Sequence, residues 1–472
     1  MEQFLTSFAN ILWGAPVLIL LAAVGIVFGI RTRFFQLRKF GHIMKNTAGE
    51  MFKKGGGATG QHGTLTPLQA VSSALAGCVG TANISGVATA MVVGGPGAVF
   101  WMWVIAIFGM LTKCVEVTLA QYYRIKGEDG VYYGGPMYYI ERGMGKKWKP
   151  LALFFAFTII IGGLGTAAFA QPFAMSNAIK NAFGVPLWAT TVVAAAICGL
   201  VLIGGVKGIG KFCEKITPTM CVIYVVTALG VIFVNYQNIP AAFGVIFKYA
   251  FTPMAAVGGL AGSTLALALR QGAARGTFSN EAGCGSSPIT HATAITEHPF
   301  KEGLYGSFEV FVDTIVVCSM TSLAVLCSGT EIWQSGTKDV ALTQMAFSSV
   351  YGDIGPIIIA ICLSLFAFST MVGWEINYES AFFYIFPKGE RSKIAKFLIR
   401  VVWLVPSFIA LGKTPDLVWT VVDIASGLWC IPNAIAMLAL SGVFMKIYQD
   451  YNEKYILKTR SKDEILEVIE KK

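Results

Sequence analysis

Ala76-Gly77-Cys78-Val79-Gly80-Thr81-Ala82-Asn83-Ile84-Ser85-Gly86 lies within a stretch that carries no Lys, Arg, Asp or Glu between Lys54 and Lys113. A bilayer core about 30 Å thick takes about 20 apolar residues per helix, so this gap holds two crossings. We place them at 67–93 and 97–123. Pro67 suits the first turn of a helix, and ten residues at about 1.5 Å each carry the chain roughly 15 Å, which puts the glycine cluster at the bilayer midplane. Three glycines and several hydrogen-bonding side chains weaken the helix where it should be most apolar, and a broken helix at that depth is tolerated only where it lines a cavity. The amides of Gly80, Thr81 and Asn83 would then turn a positive dipole end toward a carboxylate. The carbonyls of Ala76 and Val79 would suit Na⁺ or an ammonium group. Close helix packing through small residues is the competing explanation.

The same opening recurs. Thr66-Pro67-Leu68-Gln69-Ala70-Val71 leads to Leu75-Ala76-Gly77, and Thr252-Pro253-Met254-Ala255-Ala256-Val257 leads to Leu260-Ala261-Gly262. The two segments are five spans apart. An odd number means that they enter from opposite sides, the signature of an inverted five-helix repeat; chance similarity between small-residue helices is the alternative. The expected counterpart of the first cluster is Gly258-Gly259-Leu260-Ala261-Gly262-Ser263, with a second helical start at Ser279-Asn280-Glu281, where Asn280 and an acid read as a cap.

Outward from these two segments, charge gaps mark eleven spans: 9–30, 67–93, 97–123, 150–176, 187–206, 214–236, 253–286, 304–328, 354–385, 395–411 and 416–446. The fold class is therefore an all-α polytopic membrane protein with about 11 transmembrane helices, arranged as an inverted five-helix repeat with two broken helices. Residues 1–66 form a first span and a basic loop, 67–236 the first repeat, 237–446 the second, and 447–472 a cytoplasmic tail. Composition agrees: 55% of the 472 residues are hydrophobic and only 13% charged, and mean hydropathy is +0.64, whereas a soluble domain carries about 25% charged residues. The first span is too long, and lacks basic residues before it, for a cleavable signal peptide. The ten cysteines lie mostly in apolar runs without Cys-x-x-Cys spacing, which speaks for small buried hydrophobes rather than disulfide or zinc frameworks.

With the N-terminus outside, 29 of the 36 Lys and Arg fall in cytoplasmic segments. The positive-inside rule thus predicts a multi-pass protein of the cell membrane with the N-terminus out and the C-terminus in. The net charge of +10 reads as topogenic and attracted to anionic lipid, with no sign of a nucleic-acid partner. Enzyme signatures are missing: His42, His62, His291 and His298 lack ligand spacing, and no Gly-Lys-Ser or Gly-Lys-Thr phosphate loop occurs, so neither a cofactor nor ATP-driven transport is indicated.

Several long motifs resemble one known family. Gly80-Thr81-Ala82-Asn83-Ile84-Ser85-Gly86-Val87-Ala88-Thr89-Ala90, Gly94-Gly95-Pro96-Gly97, Gly134-Gly135-Pro136-Met137-Tyr138, Arg275-Gly276-Thr277-Phe278-Ser279-Asn280-Glu281-Ala282-Gly283 and Asp313-Thr314-Ile315-Val316-Val317-Cys318 look like the alanine or glycine:cation symporter family. The resemblance implies a leucine-transporter-type fold and import of a small neutral amino acid with Na⁺, some members being thought to use H⁺. It puts the substrate carboxylate at Gly80, Thr81 and Asn83, with Trp374 walling the pocket. Gly165 and Phe169 on the fourth span and Val257 and Ala261 on the seventh complete the substrate set. Ser369 and Thr370 would share Na⁺ with the carbonyls of Ala76 and Val79. Gly165-Thr166-Ala167-Ala168-Phe169-Ala170-Gln171 stands where the family usually reads Gly-Asn-Met-Val-Gln-Ala-Asn, and Phe169 in place of an amide makes that wall more apolar. A proton-coupled carrier of another neutral amino acid and a passive facilitator are the alternative functions.

Ionisable residues within spans carry two readings each. Asp313 is expected about 13 Å deep, where a lone carboxylate is costly and usually functional: it is a coupling residue, or it pairs with Arg275 or Arg270. Glu375 and Glu379 share a face as a cytoplasmic gate or a wetted helix end. Glu309 is expected to be solvated, and Lys113 to pair with Glu116.

Overall fold

The computed structural model describes residues 2–51, 53, 58, 62–256, 260, 262–387 and 392–461. Helices dominate; among the described residues the regular strands are Ile125–Lys126 and Tyr132–Tyr133, a short antiparallel hairpin. Among the described residues, seven helices are long and apolar enough to cross a membrane: Phe4–Arg31, Gly97–Tyr123, Lys146–Phe183, Gly205–Val234, Pro299–Cys327, Ile354–Ile385 and Leu417–Ala439. The pair Pro67–Cys78 and Ala82–Gly94, bent by 49° at its break, is apolar and long enough for an eighth when taken as one span. The expected spans at 187–206 and 395–411 are 17-residue helices, Leu187–Ile203 and Lys393–Ile409.

For the site, helices are labelled α1 (Pro67–Cys78), α2 (Val87–Gly94), α3 (Gly97–Tyr123), α4 (Lys149–Gly165), α5 (Gln171–Phe183), α6 (Leu265–Asn280), α7 (Ser287–His291), α8 (Pro299–Val310), α9 (Ser319–Cys327), α10 (Ile354–Gly373), α11 (Glu375–Ile385), α12 (Lys393–Ile409) and α13 (Pro415–Ala439). Local chemistry accounts for α1. Gln69 N donates to Thr66 Oγ1 and Thr66 N to Gln69 Oε1, both at 3.2 Å, a reciprocal cap, with Pro67 at the first helical position. The helix stops at Val79 (φ −74°, ψ 88°), and the chain resumes in a π-helical turn over Ala82–Gly86 before α2. Two further π turns, Thr166–Ala170 between α4 and α5 and Phe311–Cys318 between α8 and α9, lie in spans of the same bundle.

The second discontinuity falls elsewhere than expected. Pro253 starts no helix: Thr252 is extended at the end of Ile239–Phe251, and Met254 and Ser263 exchange backbone hydrogen bonds of 2.9 and 2.8 Å in an antiparallel bridge. The helix begins at Leu265, capped by Thr264, whose hydroxyl accepts from Leu267 N at 3.1 Å. Asn280 ends this helix rather than starting one, with Glu281 in the left-handed region (φ 53°). The chain then runs non-helically to Ser286 and restarts as α7. Gly283 (φ 89°) and Gly285 (φ 78°) make the path possible, since a side chain there would be strained, and a Cβ at Gly283 would lie 2.2 Å from Leu21. The flanking hydrogen bonds of the two segments differ: Thr66 and Gln69 cap each other, whereas Met254 bonds across to Ser263. Val257, Gly258, Gly259 and Ala261 lie outside the described residues.

Behind the second break sits a buried ionic cluster. Lys113 on α3 pairs with Glu309 on α8 at 3.3 Å, correcting the expectation of a Lys113–Glu116 pair and of a solvated Glu309, which is fully buried. His291 bridges Glu302 (2.8 Å) and Glu309 (3.0 Å). Glu116 instead accepts a hydrogen bond from the Asn433 side chain. A buried charge survives only when paired and hydrogen-bonded, and here the partners come from helices distant in sequence.

Candidate transport site

The two breaks face one another across a small cavity. Gly77, Cys78, Gly80 and Ala82 line it from the first break, Thr166 and Gln171 from the α4–α5 span, Phe278 and Glu281 from the second break, and Thr370 and Trp374 from α10 and its end.

Of the residues expected to meet substrate, Gly80 and Trp374 are at this cavity. The Gly80 amide donates to Asn83 Oδ1 at 2.9 Å, and the Thr81 amide to Gln171 Oε1 at 3.2 Å. Two of the amides assigned to a carboxylate are thus held by side-chain oxygens, which occupy the anion-binding positions ahead of the π turn and α2. Thr81 Oγ1 is buried without a partner. Asn83 turns away from the cavity: its Nδ2 donates to Asp313 Oδ1 at 2.7 Å. Trp374 Nε1 donates to Glu281 Oε1 at 2.8 Å, and its ring packs on Trp429 with centroids 5.3 Å apart. Gly165 sits against Val421 of α13, and Phe169 joins an apolar cluster with Phe278, Val418 and Trp419.

Of the residues assigned to Na⁺, Thr370 and Ala76 come together. Thr370 Oγ1 lies 2.8 Å from the Ala76 carbonyl, joining α10 to the last turn of α1, one turn before Val79. Ser369 does not join them; its hydroxyl lies 3.2 Å from Met220 Sδ and 2.9 Å from the Phe366 carbonyl. Adjacent helical residues point about 100° apart, so Ser369 and Thr370 serve different faces.

Asp313, fully buried, bonds to neither Arg275 nor Arg270. It accepts from Asn83 Nδ2, from Ser279 Oγ at 2.8 Å and from Thr314 Oγ1 at 2.8 Å, and so ties the first broken helix to α6. Arg275 instead pairs with Asp423 at 2.8 Å, its guanidinium 5.1 Å from the centre of the Trp419 ring, and Arg270 bonds to Asn10. Glu375 is fully buried and, with Glu379, accepts from Arg400 of α12 at 3.1 and 2.7 Å, a clamp rather than a wetted helix end. Gln171, Glu281, Phe278 and Thr166 were not assigned from sequence. The signal for Gln171 was its place in the Gly165–Gln171 motif; Glu281 and Phe278 lay in the Arg275–Gly283 motif.

Two discontinuous helices meeting around a central cavity in a bundle of apolar spans define a multi-pass membrane transporter of the secondary type. The chain belongs to the sodium:alanine symporter family, which it matches over residues 1–465. It is 37% identical over 468 residues to an uncharacterized transporter of Haemophilus influenzae, covering 98% of this chain and 99% of that one. It is 37% identical over 449 residues to the sodium/alanine symporter AgcS of Methanococcus maripaludis (94% and 96%). To the probable sodium/glutamine symporter GlnT of Bacillus subtilis it is 36% identical over 458 residues (96% and 92%). Among solved structures, MhsT in complex with L-phenylalanine aligns with a TM-score of 0.55 at 17% identity, over 81% of this chain and 90% of that one. A Na⁺-coupled sialic acid symporter aligns at 0.51 and 14%, over 94% and 93%. These likenesses establish the fold as that of leucine-transporter-type carriers, and the family makes the chain a symporter, not an enzyme.

Proposed function

We propose that the chain imports a small neutral amino acid together with Na⁺, binding both between the two helix breaks. The observation that carries this reading is that the Thr370 hydroxyl donates to the Ala76 carbonyl at 2.8 Å, which brings uncharged oxygens of two helices together beside a cavity walled by Trp374 and floored by Gly80. Uncharged hard oxygens from two helices suit an ion that must also leave; the adjoining cavity, about 10 Å³, has room for one water in this conformation and must widen to admit a zwitterion. Ala76, Val79 and Thr370 form the ion side in this proposal. Gly80, Thr81, Phe278 and Trp374 form the substrate side, and Asp313 couples the two by holding Asn83 and Ser279 together. The arrangement is read as eleven spans in two inverted repeats, N-terminus outside and C-terminus cytoplasmic. AgcS is a sodium/alanine symporter and GlnT a probable sodium/glutamine symporter by name, so the substrate panel must include both amino acids.

The test is counterflow and uptake in proteoliposomes with labelled alanine, glycine and glutamine, each with Na⁺ or K⁺ outside and with or without a pH gradient. Uptake that requires a Na⁺ gradient and is accelerated by an inside-negative potential is the expected result. One Na⁺ with a neutral zwitterion moves one net charge, worth about 2.3 kcal/mol per 100 mV. Uptake indifferent to Na⁺ but driven by a pH gradient replaces sodium by the proton, and equilibration without accumulation makes the protein a facilitator.

A further inference from the structure

Glu281 is a charged side chain at the cavity to which the transport reading above gives no task. It is the first residue of the second break, held at φ 53° and more than nine-tenths buried. Its carboxylate faces the cavity with Gly77, Gly80, Thr370 and Trp374. Both of its hydrogen-bond donors are neutral: Trp374 Nε1 reaches Oε1 at 2.8 Å, and the Ser286 hydroxyl donates to Oε2. A carboxylate offers about four acceptor sites, so two donors leave capacity on the cavity side. The cation whose charge reaches Glu281 is Lys113, which itself bonds to Glu309 and Ser287. A carboxylate inside a membrane protein calls for positive charge; Lys113 supplies it from behind the break, while the other residues lining the cavity are uncharged. A second group is also aimed there, and has no partner: Thr166 Oγ1, buried at the same cavity.

We propose that Glu281 binds the α-ammonium group of the substrate. The inference rests on the amino-acid reading above and adds its selectivity: the carrier takes molecules with a free amine on the carbon next to the carboxylate. In an α-amino acid the two charged groups are separated by a single carbon, so once the cavity widens the ammonium meets the second break and the carboxylate lies toward the first. The Trp374 and Ser286 donors hold the Glu281 carboxylate in place, which lowers the ordering cost of the ammonium contact.

The experiment measures binding of labelled L-alanine, glycine and L-glutamine to the purified full-length protein at saturating Na⁺, with L-lactate and N-acetyl-L-alanine as competitors. Glu281→Gln and Glu281→Asp are measured beside the wild type. The expected result is that lactate and N-acetylalanine fail to compete on the wild type. Glu281→Gln should weaken amino-acid binding roughly tenfold to a hundredfold, as for loss of a hydrogen bond to a charged group, with part restored by Glu281→Asp. Lactate competing as well as alanine on the wild type overturns the assignment without any variant, so it stays decidable even if Glu281→Gln does not fold. Unchanged amino-acid binding by a folded Glu281→Gln protein whose Na⁺ or pH dependence has shifted also overturns it, since the carboxylate then serves an ion. Failure of the wild type to bind any of the three amino acids overturns the transport reading, and this inference with it. Binding by the wild type with equal binding by Glu281→Gln overturns this inference alone.

Discussion

The two helix breaks do the same geometric job with opposite chemistry. The first, at Val79–Thr81, is short and electrically neutral: its freed amides are taken by Asn83 Oδ1 and Gln171 Oε1, and its carbonyl side meets Thr370. The second, from Glu281 to Ser286, is longer, needs two glycines in the left-handed region, and carries a carboxylate backed by the Lys113–Glu309–His291 cluster. The difference teaches that breaking a helix supplies backbone dipoles in either case, while the side chains at the break decide which ligand charge each half receives. In the proposal above, a neutral break offers oxygens to an ion, and a carboxylate reaches its amides by displacing Asn83 Oδ1 and Gln171 Oε1. An acidic break offers a counter-charge.

The sharpest way to break this division is to fill the first break. A Cβ at Gly80 would lie 2.8 Å from Thr370 Oγ1 and 3.2 Å from the Gln171 amide, so Gly80→Val should abolish binding of both Na⁺ and amino acid while the protein still elutes as a folded species. Retained binding moves the site away from α1. Next in size is Trp374→Ala, which removes an apolar wall and the indole donor to Glu281. Substrate affinity should fall by on the order of 2 kcal/mol or more at every Na⁺ concentration. Thr370→Val keeps the side-chain shape and removes the oxygen near Ala76. The Na⁺ concentration for half-maximal uptake should rise by about 1–3 kcal/mol in equivalent terms, with substrate affinity at saturating Na⁺ little changed. A two-dimensional titration of uptake against Na⁺ and substrate separates these two variants, and identical patterns would erase the distinction between an ion face and a substrate face. The smallest effect is expected for Thr166→Val, whose unpartnered hydroxyl contributes no more than about 1 kcal/mol to substrate binding. A larger loss would make the α4–α5 span a principal contact.

How much of this was legible in the sequence depended on how local the cause was. The first break was, because its determinants are neighbours: Pro67 and the Thr66–Gln69 cap fix where α1 starts, and Gly77, Gly80 and Asn83 mark where it fails. Apolar length between charges placed most spans for the same reason. The second break was misplaced because Thr252-Pro253 repeats the composition of Thr66-Pro67 without its reciprocal cap. The local clue that mattered was Thr264 ahead of Leu265. Lys113 was assigned to Glu116 because three residues on a helix make neighbours, whereas its partner, Glu309, lies on another helix. The same blindness hid the Arg275–Asp423 pair and the Arg400 clamp on Glu375. Ser369 and Thr370 are equivalent as letters, and only the helix rotation sends one hydroxyl to Ala76 and the other to Met220.

The π turns at Ala82–Gly86, Thr166–Ala170 and Phe311–Cys318 bear on how the chain takes changes in length. A π turn holds one residue more than the α-helix would, and five residues in it cover roughly the rotation of four in an α-helix, so the helix beyond keeps its phase and a deletion inside the turn relaxes it to ordinary helix. A deletion in the α-helical part of the same span has no such slack and rotates everything beyond it by about 100°. Such a shift ahead of Ser319–Cys327 would swing that helix out of register with Trp103 and Tyr224, whose side chains bond to Ser319 and Thr321. The π turns are thus the places along these spans where a change of length is expected to cost least.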